Sequence, residues 1–157
     1  MGFRNLIDDR HSIRAFEARP VEREKVERIL HAASRAPSAA NLQSYRIAVL
    51  TSREWIEKLA MTKPQQPWVA TAPVLFVFLG DQEPSTGRMS SEGQSLYTVQ
   101  DPTIACAYTQ LAAVDDGLGA CWLGTSMLAV GYAAGPPQTI TTRRPREEMV
   151  IDFDDQG

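Results

Sequence analysis

The sequence is short of the residues on which side-chain catalysis usually rests. Its 157 residues hold two cysteines, Cys106 and Cys121, and two histidines, His11 and His31. Two cysteines are too few for a disulfide framework and fit a reducing compartment. Two scattered histidines add no ligand set for structural zinc, and no metal is expected. A thiol catalyst pairing Cys106 with either histidine has no supporting pattern, so both cysteines read as small buried hydrophobes. No apolar run approaches membrane-spanning length, and the N-terminus lacks a leader pattern. Positive charge is not in excess either. With 16 Lys and Arg against 19 Asp and Glu, the formal net charge is −3, without the broad basic surface that nucleic acid or an anionic membrane needs. A cytoplasmic location is the expectation. What is present is an ordinary globular composition, 43% hydrophobic and 22% charged, enough for one core and short for two, so residues 1–157 are expected to form a single domain.

Periodicity places the elements. Phe3, Leu6 and Ile7 share a face, which predicts a short helix over Phe3–Asp9. Val26, Ile29, Leu30 and Ala33 recur at helical spacing, predicting a helix over Glu22–Arg35, between Pro20 and Pro37. Tyr45–Leu50 reads as a strand and Arg53–Ala60 as a helix. Val74–Leu79, uninterrupted apolar sequence between Pro73 and Gly80, reads as a central strand covered on both faces. The polar stretch Asp81–Gln100 reads as a surface excursion. Asp101-Pro102 has the form of a helix start, an N-cap acceptor with proline at the first helical position, and the helix should end at Asp116-Gly117. Ala120–Gly124 and Met127–Tyr132 read as two strands with little between them. Pro136-Pro137 then opens an extended arm ending in the apolar Met149, Val150, Ile151 and Phe153, which suggests docking on a partner subunit.

Two clusters carry chemistry. Arg10, Ser12 and Arg14 alternate in one short segment, and an extended chain sends alternate side chains to one side, so two guanidiniums and a hydroxyl can converge on a phosphate. His11 and Ile13 would then face the other way. The second cluster, Pro37-Ser38-Ala39-Ala40-Asn41-Leu42-Gln43, offers hydroxyl and amide groups able to read the edge of a heterocycle. Taken singly, each has a plain alternative: solvated arginines, or turn residues after a proline-terminated helix. Trp122 reads as core or interface packing. Gly117-Leu118-Gly119 leads from a helix into a strand, the reverse of a dinucleotide fingerprint.

In order along the chain, the segments Arg10–Arg14, Ala36–Gln43 and Gly117–Gly124, with Gln66-Pro67-Trp68 and Arg143-Arg144-Pro145-Arg146, resemble the flavin-dependent nitroreductase family. The resemblance runs from about residue 3 to about residue 150. It implies an α+β fold, a central mixed sheet flanked by helices, in an intertwined homodimer with an extended C-terminal arm and flavin mononucleotide at the subunit interface. It further implies that Arg10, His11, Ser12 and Arg14 hold the phosphate and ribityl tail, with Arg143 or Arg144 adding a cation. Pro37, Ser38, Asn41 and Gln43 would meet the ring, and Trp122, Leu123 and Gly124 would bring backbone close to it. By the same resemblance the flavin carries the chemistry and no side chain is catalytic. NADH or NADPH would give a hydride, and a small acceptor such as a nitroaromatic, a quinone or a free flavin would receive it, in ping-pong order. Trp68 and Tyr97 are guesses for the wall of an acceptor pocket. Only Thr125 and Ser126 stand between Gly124 and Met127, where relatives usually carry a loop and a helix. Two alternatives stay open: a specialised flavin-fragmenting, dehalogenating or heterocycle-oxidising member, and a flavin-binding protein without turnover.

Overall fold

The structure, a computed structural model, describes residues 2–124, 127–138, 142–145 and 148–150. Helices α1 (Phe3–Asp9), α2 (Arg23–Ser34), α3 (Arg53–Met61) and α4 (Ser91–Asp115) flank one sheet of strands β1 (Tyr45–Leu50), β2 (Val74–Gly80), β3 (Gly119–Leu123) and β4 (Met127–Gly131). The strand order is β1-β2-β4-β3, and each neighbouring pair is antiparallel. The sheet of the described strands is therefore antiparallel rather than the expected mixed one; a parallel pairing occurs among the described residues as an isolated bridge, Ser12 to Ala120, where the segment after α1 runs beside β3.

The apolar run of β2 is explained by its place between β1 and β4, with a packed layer on each face. Val74, Phe76 and Phe78, with Leu128 and Val130 of β4, face Ile29 of α2 and Ala105, Cys106 and Ala113 of α4. Leu75 and, on β4, Met127 and Ala129 face Ile56 and Ala60 of α3, Val69 and Ala72, together with Ile13 and Phe16. Phe76 stands opposite Leu128 in the β2–β4 register, both fully buried. Each such side chain contributes about 1.5–3 kcal/mol. Trp68, half-buried, packs in the second layer against Phe16, ring centroids 6.4 Å apart.

One expected helix boundary is overturned. Asp101-Pro102 does not start a helix: α4 begins ten residues earlier, where Ser90 Oγ accepts from the Gly93 amide at 3.2 Å. The Asp81–Gln100 excursion is therefore half helix. Asp-Pro matches an N-cap as a dipeptide, yet here both residues are buried inside α4. Proline deprives the Thr98 carbonyl of its usual intrahelical donor. At the other end, α2 holds α4 in place: Lys25 Nζ donates to the Asp116 carbonyl at 2.6 Å and Arg28 pairs with its carboxylate at 2.8 Å. Cations at a helix C-terminus are favoured by the dipole. Of the arm, Met149 and Val150 are exposed, while Ile151 and Phe153 lie outside the described residues.

Candidate cofactor site

The Ile13 amide donates to the Ala120 carbonyl at 3.0 Å, which lays residues 10–14 along the edge of β3. Ile13 points into the core. It does so by close approach, since a Cβ on Gly119 would come within 2.9 Å of Ile13 Cβ. Arg10, Ser12 and Arg14 then line a cavity of about 290 Å³ together with His11, Gln110, Trp122 and Arg143. His11 thus belongs to the cavity, contrary to strict alternation, because the segment forms one bridge to β3 and not a regular strand. Of the two arm arginines the cavity takes Arg143; Arg144 is exposed and is not among its lining residues. Trp122 packs on the core, as read from the sequence, and also lines the cavity. Three guanidiniums, a hydroxyl and a carboxamide surround the space, with no carboxylate among the described lining residues. That donor set fits a phosphate ester, which bidentate guanidiniums bind better than point charges do.

The ring-edge cluster forms a separate, tightly wound loop. Pro37, Asn41 and Gln43 are exposed, Ser38 is half-buried, and Leu42 is buried. Ala40, Asn41 and Gln43 have φ of 47°, 54° and 52°, left-handed values that cost about 1–2 kcal/mol at an ordinary residue and less at asparagine. Two sets of bonds hold this conformation. Ser38 Oγ accepts from the Gln43 amide at 3.0 Å, and Gln43 Nε2 folds back on Asn41. From α4, Asp101 Oδ1 accepts from the Ala39 amide and Oδ2 from the Ser44 amide, each at 3.1 Å. Bonds to a carboxylate contribute about 1.5–3 kcal/mol each, enough to offset the strain. None of the loop residues lines the cavity of Arg10 and Arg14.

Leu123 is buried in the second layer, so only its backbone can face a ligand. Gly124, at φ 54°, lines another cavity of about 340 Å³ with Thr62, Lys63, Pro64, Gln65 and Gln66. Cys106 is fully buried, and burial pushes its thiol up to about 12. Burial also raises Cys121, against the opposing pull of the Arg14 charge, the Ser12 hydroxyl and the Arg10 charge. Neither is a thiolate nucleophile. Gln110 and Asp101 were missed by the sequence reading. The signal available for Gln110 was a carboxamide in an alanine-rich helix, and it is buried.

A sequence profile of the Nitroreductase family matches residues 7–62 and 54–134. The chain belongs to the nitroreductase family. A Methanothermobacter thermautotrophicus member, named for an inferred activity as an NADH dehydrogenase/NAD(P)H nitroreductase, is 36% identical over 118 residues, 75% of this chain and 58% of that protein. A Bacillus subtilis member named FMN reductase [NAD(P)H] is 27% identical over 142 residues, 85% of this chain and 55% of that protein. The chain thus spans little more than half of these two relatives. In structure it is similar to NfrA1 of B. megaterium, with a TM-score of 0.87 at 25% identity, covering 97% of this chain and 76% of that one. Among the described residues no helix is long and apolar enough to cross a membrane.

Proposed function

We propose that this nitroreductase-family chain binds flavin mononucleotide and uses it to move a hydride from NADH or NADPH to a small organic acceptor such as a nitroaromatic, a quinone or a free flavin. The observation that carries the reading is the convergence of Arg10, Arg14 and Arg143 with Ser12 on one cavity, in a family whose B. subtilis relative is named an FMN reductase. The three guanidiniums would hold the phosphate. Gln110 and Trp122 would line the tail, Ser38, Asn41 and Gln43 would meet the ring edge, and the backbone at Gly124 would lie against the ring. When bound, the flavin supplies the hydride-accepting and hydride-donating chemistry, and the protein supplies binding, orientation and hydrogen bonds.

The reading includes a homodimer. Phe3 and Ile7 of α1, and Leu96 and Val99 of the first half of α4, are exposed, apolar surface of a kind that marks association. A second copy would cover it and bring one chain's ring-edge loop toward the other's arginine cavity.

The test is a visible spectrum of the protein mixed with flavin mononucleotide, dialysed, and then given NADH or NADPH without oxygen. Bound flavin that bleaches is the expected result. Retained flavin that stays oxidised would favour the sequestering alternative, and no retained flavin would defeat the cofactor assignment. Arg10→Ala combined with Arg14→Ala should weaken flavin retention by about a hundredfold, since each charge-assisted bond accounts for about tenfold or more, while far-ultraviolet circular dichroism stays unchanged.

A further inference from the structure

We propose that Asp101 is a positioning residue of the redox site, acting from inside α4 through the backbone of the loop that carries Ser38, Asn41 and Gln43. The inference rests on the proposed flavin site and names what holds its ring-edge groups in register.

Asp101 is 1% exposed, and its two oxygens bind the Ala39 and Ser44 amides, which lie on either side of all three left-handed residues. One side chain therefore fixes both ends of the strained turn. Aspartate is a poor choice for a helix interior, and a buried carboxylate is costly unless every oxygen is engaged. An apolar side chain at this position would suit α4 itself better, so the helix does not explain the residue, whereas the loop does. The bond from the Gln43 amide to Ser38 Oγ closes the same turn from within, and the Asp101 contacts tie its backbone to α4, beside the bond from the Asp81 amide to the Ser44 carbonyl at 2.9 Å and the buried Leu42; the orientation of the Asn41 and Gln43 amides depends on that backbone. A ring-edge donor displaced by about an ångström can cost a hundredfold in rate.

The experiment compares the full chain with Asp101→Asn and with Ala113→Gly. The second is a control that loosens α4 at a buried position away from the loop. An asparagine amide turns one of the two acceptors into a donor facing a donor. The expected result for Asp101→Asn is a tenfold or greater fall in kcat with saturating donor, together with altered visible circular dichroism and a shifted midpoint potential of the bound flavin. Ala113→Gly, at an equal or larger loss of Tm, should keep kcat, dichroism and potential at parental values. If both variants change alike, or if Asp101→Asn matches the parent, the positioning role is wrong. Should Asp101→Asn fail to fold, amide exchange in the unmodified protein decides: protected Ala39 and Ser44 amides are expected, and exchange at the rate of open chain would overturn the latch. A parent that takes up no flavin would sink the cofactor reading by itself, whatever the exchange pattern.

Discussion

Tyr132 Oη donates to Glu22 Oε2 at 2.6 Å, and that bond more than any other influence lowers the Glu22 carboxyl from 4.5 to about 2. The Tyr132 ring in turn carries the Arg19 guanidinium 3.9 Å from its centroid and Lys25 Nζ at 5.0 Å. A carboxyl held below its unfolded value stabilises the fold above that value, and the contribution is lost as pH falls from about 4.5 toward 2. Tyr132→Phe should therefore lower Tm at neutral pH. The gap to the parent should narrow below pH 4.5 and flatten near pH 2. Melting curves that stay parallel across that window would rule the pair out as the source. Residues differ in how openly the sequence shows such roles. Arg10, Ser12 and Arg14 were legible as a cluster because they lie within five residues of one extended segment, although alternation misplaced His11, which lines the same cavity. Asp101 was not, because Asp-Pro looks the same at a helix start and in a helix interior, and its two amide partners lie about sixty residues away in sequence.

At the level of elements, the strands and the first three helices could be read from periodicity, and the last helix only in part. The first half of α4 escaped because it packs little: Leu96 and Val99 are exposed, so no apolar stripe faces the core to announce it. It does come close against β2. A Cβ built on Gly80 would stand 2.6 Å from the Thr98 carbonyl oxygen and 3.0 Å from Thr98 Cβ, and that carbonyl sits on the turn interrupted by Pro102. Gly80→Ala should consequently destabilise the protein by about 1–3 kcal/mol, the usual cost of overpacking against backbone, measured as a lower urea midpoint at unchanged slope. An unaltered midpoint would show that α4 can slide away from the sheet at no cost.

For the whole molecule, the segments that form the arginine cavity and the ring-edge loop were each visible in the sequence, but the proposed meeting of the two was not, since it would depend on which surfaces a second copy covered. Leu96→Asp with Val99→Asp tests it. Light scattering should find a dimer for the parent and a monomer for the variant, and the monomer should release flavin; a variant that remains dimeric would place the interface elsewhere. Both halves of the proposed site are fastened to α4, Gln110 at the cavity and Asp101 at the loop. Nine residues of helix rise by roughly 13 Å, so the helix acts as a gauge rod between them. Substitutions along the rod change its surface, whereas inserting or deleting one residue between Asp101 and Gln110 would turn one end against the other by about 100°. This stretch is thus open to change in sequence and closed to change in length.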